Sequence, residues 1–187
     1  MKQQWAPQEL IDQWMLTDKE KALVNQYHTD PNRIAYALLL KYFQREGKFP
    51  QRKQDTPRVI VEHIAQQFHL ETTVFDSYRW EKGTIDRHRS QIRKFLGVRI
   101  GTVADANAVL VWLRAQGQLL EEHNFDRLKV VVYDRYKELK VEPPEPKRVE
   151  RLVRSAVRSA DEHLYNKILE KLTPEMQEKL ETLLNEK

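Results

Sequence analysis

Cysteine is absent from the 187-residue sequence, which excludes disulfide bonds, thiolate chemistry and cysteine-based zinc sites. Glycine is scarce, and its five residues are scattered too widely to build a glycine-rich phosphate-binding loop. No apolar run approaches the roughly 18 residues that a membrane-spanning helix needs. No apolar segment follows Lys2, as it would in a signal peptide. These absences predict an intracellular protein.

Signatures of catalytic and metal chemistry are also lacking. The six histidines form no His-x-x-x-His pair, and Glu62-His63 lacks the second histidine of a zinc protease. His63 and His88 lie on or beside apolar helix faces, which predicts packed histidines and not ligands. Glu121-Glu122 is typical of a solvated helix end. We therefore expect a binding function, with no catalytic residue, metal or cofactor in this chain.

Positive charge is segregated along the chain. Residues 41–58 carry a net charge of +4, residues 79–99 of +5 and residues 147–158 of +4, so the remaining residues carry −9 although the total is only +4. Such a distribution is typical of a protein that binds a polyanion through one surface. Charge alone leaves DNA, RNA and an anionic membrane surface open.

The apolar periodicity is helical almost throughout. Thr17, Asp30-Pro31, Thr56-Pro57 and Thr102 are start signals, while Gly47, Gly97 and Gly117 are stop signals. The strand signal at 129–133 is weak. The sequence therefore predicts an all-α fold, with helices at about 7–15, 18–27, 30–47, 58–68, 72–80, 84–96, 103–116, 124–139, 147–172 and from 173 onward.

Residues 84–96 form the predicted helix with the clearest functional pattern. Thr84 is a suitable N-cap and Gly97 a natural stop. At roughly 100° per residue, one side carries the apolar residues Ile85, Ile92, Phe95 and Leu96. The other side carries Arg87, Ser90, Arg93 and Lys94. Such a helix can lie against a phosphate backbone or in a major groove. The alternative is an ordinary solvated face.

Residues 58–78 predict a helix-turn-helix. A small residue, Ala65, lets two helices cross closely, and a turn follows at Phe68–Glu71. Val74, Phe75 and Tyr78 are spaced to pack back from a second helix. His69 lies near the position of the usual turn glycine, and a plain helical hairpin is the alternative. The aromatic residues recur with aliphatic neighbours, which predicts core positions for Trp14, Tyr36, Tyr42, Phe43, Trp80 and Trp112.

Several ordered motifs resemble the replicative transposases of the Tn-three family. Residues 32–50 are similar to that family's Asn-Arg-Leu-Gly-Phe-Ala stretch ending in Gly-(Arg/Lys)-Phe-Pro, with Ile-Ala-Tyr in place of Leu-Gly-Phe. Residues 64–68 resemble its Ile-Ala-x-Gln-Leu segment. Residues 87–99 resemble its His-x-x-x-Ile-Arg-x-x-Leu-Gly-Phe-Arg motif, with Val98 in place of the aromatic residue. Residues 152–184, with Leu-Thr-Pro-Glu inside them, resemble its next helical stretch.

The resemblance implies sequence-specific binding of duplex DNA at the terminal inverted repeats of a transposon. It also implies that an RNase-H-like catalytic core, which uses Mg²⁺, belongs to a much larger C-terminal part. No catalytic triad can be carried over to this chain. Because the chain ends at Lys187, we expect it to be the DNA-binding part of a longer, cytoplasmic and nucleoid-associated bacterial protein that can self-associate through the missing part.

The predicted organisation has a helix-turn-helix-like DNA-binding subdomain at 1–80 and a second helical one at 81–140. A proline-rich connector at 141–146 then leads to a helical hairpin at 147–187. Leu180, Leu183 and Leu184 of its second helix are expected to cover the apolar stripe of the first. The arginines of that first helix form either a second DNA contact or a merely solvated face on a structural bridge.

The predicted DNA-binding residues are Arg52, Lys53, Arg79, Arg87, Arg89, Ser90, Arg93, Lys94, Arg99, Arg148, Arg151, Arg154 and Arg158. Of these, Arg87, Ser90, Arg93 and Lys94 are expected to face DNA, while Arg52, Lys53 and Arg79 contribute phosphate contacts. The alternative function is a helical scaffold whose basic stripes bind RNA or an acidic protein.

Overall fold

The computed structural model describes residues 4–116 and 124–173, together with positions 175, 176, 179 and 182. Within these residues the fold is all-α, as the sequence predicts. The α-helices are α1 Pro7–Trp14, α2 Asp18–Val24, α3 Asp30–Glu46, α4 Arg58–Gln66, α5 Lys82–Leu96, α6 Val103–Arg114, α7 Phe125–Glu138 and α8 Pro146–Leu169. The weak strand signal at 129–133 lies inside α7, where the sequence also predicts a helix. Two short strands, β1 Arg99–Ile100 and β2 Val141–Glu142, pair in parallel.

The predicted caps explain most helix boundaries. Thr17 and Glu20 form a capping box at the start of α2, with the Thr17 N–H donating to the Glu20 carboxylate at 2.8 Å. Thr102 and Asp105 do the same for α6. Gly47 and Gly97 end α3 and α5 with φ of +68° and +65°, a backbone region that glycine adopts without strain. The predicted stop at Gly117 lies outside the described residues.

Two predicted boundaries are wrong. Helix α5 begins at Lys82 with Glu81 as its N-cap, so Thr84 lies inside the first turn, because the extended backbone ends at Glu81. Residues 72–80 form only a 3-10 segment, Thr72–Ser77. There Lys53 Nζ donates to the carbonyls of Asp76 and Tyr78 at 2.8 and 3.2 Å, so a side chain from an earlier part of the sequence occupies these two acceptors. The second α-helix of the predicted helix-turn-helix is therefore not formed.

The structure divides into two compact units. The first comprises Met1–Gly101 with Tyr136–Pro143, and the second comprises Thr102–Arg135 with Pro144–Lys187. These ranges differ from the predicted subdomains, because α5 buries its apolar face in the core of the first unit. Part of the predicted connector, Val141–Glu142, is strand β2, and α8 begins at Pro146. Whether two subdomains bind DNA separately stays a prediction.

Helix α3 forms the centre of the first unit. Helices α1, α2, α4 and α5 and the segment Thr72–Ser77 all contact it. A helix that is apolar on most of its surface is stable only when neighbours cover it. The buried residues of α3 are Ile34, Ala35, Tyr36, Ala37, Leu38, Leu39, Leu40, Tyr42 and Phe43. Among the predicted core aromatics, Trp14, Tyr36, Tyr42 and Phe43 are buried, whereas Trp80 and Trp112 are half-buried.

In the second unit, α6 packs along α8. Ala106, Val109 and Leu113 of α6 are buried. On α8 the buried apolar residues run from Val149 to Val157 and form the first part of the apolar stripe predicted for that helix. Further along α8, Leu164 and Ile168 are exposed. The helix predicted to cover them, through Leu180, Leu183 and Leu184, lies outside the described residues.

His88 holds α5 against α3. Its ring is fully buried, its Nδ1 lies 3.2 Å from the Tyr78 hydroxyl, and the rings of Tyr27 and Tyr36 meet it edge-on at 4.8 and 5.7 Å. Burial, aided by the neighbouring Arg87 charge, lowers the pKa of His88 to about 4. His88 is therefore neutral at pH 7, and the prediction of a packed histidine is confirmed.

An ion pair joins α5 to β2. Arg93 donates to the Glu142 carboxylate at 2.8 Å, and the two side chains are only 16% and 21% exposed. The backbone of the same region pairs as well, since the Arg99 N–H donates to the Lys140 carbonyl at 3.1 Å. A partly buried charge pair loses stability when one partner is removed, because the other charge is left without compensation.

The buried histidine predicts a pH-dependent stability. His88 has a folded pKa of about 4 and an ordinary value of 6.5, so the unfolded chain binds more protons between these values. The free energy of unfolding should be highest above pH 6.5 and fall by up to about 3 kcal/mol as the pH drops to 4. Urea denaturation across this pH range should show a smaller fall in the free energy of unfolding for His88→Gln than for the control His28→Gln. In the control, the histidine that is replaced is exposed. Equal slopes would contradict this account.

The ion pair predicts that two adjacent cations differ in their effect on stability. Arg93→Ala should lower the free energy of unfolding by about 3 kcal/mol, because Glu142 is left half-buried without its partner. Lys94→Ala, at the next and exposed position, should change it by less than about 0.5 kcal/mol. Urea denaturation at pH 7 measures both values, and similar losses in the two variants would rule out a structural role for the pair.

Candidate nucleic-acid interface

Helix α5 presents three polar residues on one exposed face. Arg87, Ser90 and Lys94 are three and four residues apart, so they line the side opposite the buried Ile85, His88 and Ile92. None of the three side chains forms a hydrogen bond or ion pair with the residues that the structure describes. Their predicted outward orientation is confirmed, whereas DNA contact by them stays a prediction.

Two other predicted residues of α5 point towards the protein. Arg93 pairs with Glu142, and Arg89 donates to the Pro50 carbonyl at 2.8 Å with its guanidinium 5.4 Å from the Phe49 ring centre. Burial lowers the pKa of Arg89. Arg93 lies roughly 80° from Ile85 around the helix. It therefore flanks the buried face, and its expected place on the outer arc is wrong.

The sequence analysis missed Gln91 and misplaced Phe95. Gln91 is exposed beside Arg87 and Lys94 and accepts a hydrogen bond from the Tyr27 hydroxyl. Phe95, expected on the apolar side, is 41% exposed. At roughly 100° per residue from Ile85, both lie on the Arg87 side of the outer face, at about 240° and 280°, next to Arg87 at about 200°. The exposed face of α5 thus combines two cations with a hydroxyl, an amide and an aromatic ring.

The cations predicted to contact phosphates differ in their surroundings. Arg52 is highly exposed and pairs loosely with Asp55 at 3.3 Å, and Arg79 is exposed. Lys53 instead links its own short segment, Lys53–Asp55, to the segment Thr72–Ser77, because its ammonium donates to the carbonyls of Asp76 and Tyr78. The same ammonium lies 4.9 Å from the Phe75 ring centre. Arg99 is exposed on β1 and donates to the Ile100 carbonyl at 3.3 Å.

Helix α8 of the second unit carries a row of exposed arginines. Arg154 pairs with Glu150 at 2.8 Å, and Arg158 pairs with Glu162 at 2.9 Å. Arg148 and Arg151 form no such pair with the described residues. The exposure of the row is as predicted, and two of its four members carry a carboxylate partner on their own helix.

The turn after α4 lies at about the predicted place. His69, at the place of the usual glycine, has a φ of +55°. The polypeptide then forms the short 3-10 segment Thr72–Ser77, and α5 is the next α-helix. The α-helix that follows this turn is therefore α5, which begins at Lys82 and exposes Arg87 and Lys94.

Two further searches concern the described part of the chain only. It contains no group of three or more histidine and carboxylate side chains placed to hold a metal ion. None of its helices is both long and apolar enough to cross a membrane.

Comparison with known proteins gives two matches. A family model described as a domain of unknown function, DUF4158, matches residues 1–156. The chain is also 23% identical over 179 residues to the transposase for transposon Tn1546 from Enterococcus faecium. That alignment covers 92% of this chain, which spans 18% of the length of the transposase. Since the family model covers most of the sequence, the chain belongs to the DUF4158 family.

Proposed function

We propose that this chain is the sequence-specific DNA-binding part of a transposase and that it binds the terminal inverted repeats of a transposon. The observation that carries the proposal is the exposed face of α5, where Arg87, Ser90 and Lys94 have no described protein partner. Similarity to a transposase over nearly the whole chain supports it. The motifs shared with the Tn-three family support the terminal repeats as the target.

The surroundings of α5 suit recognition of base edges in a DNA groove. One side is fixed by Ile85, His88 and Ile92 in the core, so the other side is held rigidly. A major groove admits an α-helix, and arginine or lysine recognises guanine while glutamine recognises adenine. We propose that Arg87 and Gln91 contact base edges and that Ser90 and Lys94 contact bases or phosphates. Rigid support reduces the entropy lost on binding.

The remaining cations would supply affinity without specificity. Arg52 and Arg79 are exposed in the same unit as α5 and suit phosphate contacts. Arg148 and Arg151 suit a second contact made by the other unit. Each neutralised phosphate releases counterions, so binding should weaken steeply as salt rises.

Catalysis is proposed to reside elsewhere in a longer protein. The motif that carries the acidic triad of the Tn-three family has no counterpart in this sequence, so the Mg²⁺-dependent steps would belong to a part outside these residues. Self-association would also use that part. In this proposal the chain identifies the transposon end and presents it to the catalytic core.

The alternative is a helical scaffold that binds RNA or an acidic protein. The segregated positive charge favours any polyanion, so it supports this alternative as well. The deep and narrow major groove of double-stranded RNA does not admit a helix, which favours DNA for α5. Specific binding that survives excess random duplex DNA distinguishes the proposed function from purely electrostatic contact.

The exposed cations of α5 should contribute differently to binding. Arg87→Ala should weaken binding to the terminal repeat by about 1–3 kcal/mol and relax the preference at one base position, as expected of a bidentate guanine contact. Lys94→Ala should weaken binding to all sequences similarly and reduce the salt slope by about 0.9 if it contacts a phosphate. Fluorescence anisotropy with single-base variants of the repeat, at several salt concentrations, measures both effects.

A matched control removes the same charge from another helix of the first unit. Lys19 and Lys21 lie on α2, away from α5 in the sequence. The double variant Lys19→Ala, Lys21→Ala should retain the affinity and base preference of the parent chain. If Arg87→Ala, Lys94→Ala binds no more weakly than this control, α5 is not the DNA-contacting helix.

The arginines of α8 provide a separate prediction. If α8 contacts DNA, Arg148→Gln, Arg151→Gln should reduce the salt slope by about two. Arg154→Gln, Arg158→Gln should reduce it somewhat less, because the neighbouring carboxylates of Glu150 and Glu162 partly offset those charges. A slope that is unchanged in both double variants would assign α8 a structural role. Deletion from residue 141 is unsuitable as a test, since it removes Glu142 from the first unit.

A further inference from the structure

A cavity of about 360 Å³ opens in the first unit at the start of α4. It lies among the residues that precede α4, the first turn of that helix and the segment Thr72–Ser77. Its floor includes the apolar side chains Val61 and Phe75. Its other lining residues are Lys53, Gln54, Thr56, Arg58, Thr72 and Asp76.

Thr56 is the most informative residue of the cavity. The residue is only 8% exposed, and it lines the cavity. Its hydroxyl has no hydrogen-bond partner among the residues that the structure describes. The hydroxyl is not one of the side-chain atoms that are both enclosed and unpaired, so solvent reaches it although the rest of the residue is buried. A ligand that enters the cavity can replace water as its hydrogen-bond acceptor.

The start of α4 adds further donors. Its N-cap is Pro57, which offers no capping side chain. The amides of Arg58 and Val59 lie in the first turn, where an α-helix provides no carbonyl acceptor. Thr56 and Arg58 line the cavity on either side of the cap. Unpaired amides and the positive end of the helix dipole favour an anion there.

Two cations border the same space. The Lys53 ammonium uses two of its three protons on the carbonyls of Asp76 and Tyr78, so one proton is left for a ligand. Arg58 pairs with Glu62 at 3.3 Å, but its side chain is 74% exposed, and such pairs are weak enough to be exchanged. Asp76 is the carboxylate of the lining, and the two cations outweigh it.

We propose that this cavity binds one phosphate group, held by the Thr56 hydroxyl, the first amides of α4, Lys53 and Arg58. In the complex with DNA, the group is a phosphate of the backbone. The choice of DNA as the source rests on the proposed function, whereas the phosphate chemistry does not. The cavity volume is enough for a phosphate together with an attached sugar.

The position of the cavity along the chain supports a backbone phosphate. Asp76 at its edge precedes the first residue of α5, Lys82, by six residues, which is at most about 20 Å of extended chain. That length corresponds to about six phosphates along one DNA strand. A phosphate in the cavity and a groove contact by α5 are therefore compatible within one binding site.

The first test titrates the 187-residue chain with inorganic phosphate at constant ionic strength and follows backbone amides by NMR. We expect saturable shifts of the Thr56, Arg58 and Val59 amides, with a Kd of about 1 mM. Thr56→Val removes the hydroxyl and retains the shape, and it should weaken binding about tenfold. The control Thr73→Val, at an exposed position outside the cavity lining, should bind as the parent does. Arg58→Gln, a surface change, should also weaken binding.

The second test uses duplexes of the terminal repeat in which one phosphate at a time is replaced by a neutral methylphosphonate. We expect one position at which the replacement weakens binding of the parent about tenfold but has no further effect on Thr56→Val. Such a position identifies DNA as the source of the phosphate.

The outcomes separate the two proposals. Phosphate saturation of the cavity without DNA binding supports the phosphate site and overturns both the DNA source and the proposed function. If the chain binds DNA but neither phosphate nor DNA shifts the NMR signals of the cavity amides, the phosphate site is overturned and the proposed function stands. Equal phosphate binding by the parent, Thr56→Val and Arg58→Gln also overturns the phosphate site.

Discussion

Burial of one face of α5 against α3 is the constraint on which the candidate interface depends. The ring of His88 is enclosed by Tyr27, Tyr36 and Tyr78, and its low pKa keeps it neutral in that setting. With this face fixed, the helix geometry leaves Arg87, Ser90 and Lys94 outward. A helix held in this way can present side chains in one orientation, which recognition of a base sequence requires.

The sequence predicted the helices well where a local signal decides them. Thr17, Thr102, Gly47 and Gly97 set boundaries through their own caps and backbone angles. The prediction from sequence failed where contacts between distant residues determine the local structure. The engagement of the Asp76 and Tyr78 carbonyls by Lys53 and the pairing of Arg93 with Glu142, 49 residues away, depend on the tertiary fold. For the same reason the sequence could identify basic stretches but could not separate exposed cations from those that hold the protein together.

The distinction between structural and exposed cations changes the interpretation of the basic helix. Arg89 and Arg93 bind the protein's own carbonyl and carboxylate, so only part of the +5 charge of residues 79–99 is available to a partner. Gln91, which the charge pattern does not reveal, joins the exposed face. The candidate interface is therefore smaller and chemically more varied than the charge suggests, which favours recognition of bases over purely electrostatic attraction.

The central proposal is that this chain recognises transposon ends by sequence. A protection footprint on the terminal repeat of the host element, made with excess random duplex DNA, tests it most directly. The account predicts a discrete protected stretch inside the repeat that persists under this competition. Protection that spreads evenly over the DNA, or that disappears with competitor, would contradict the account.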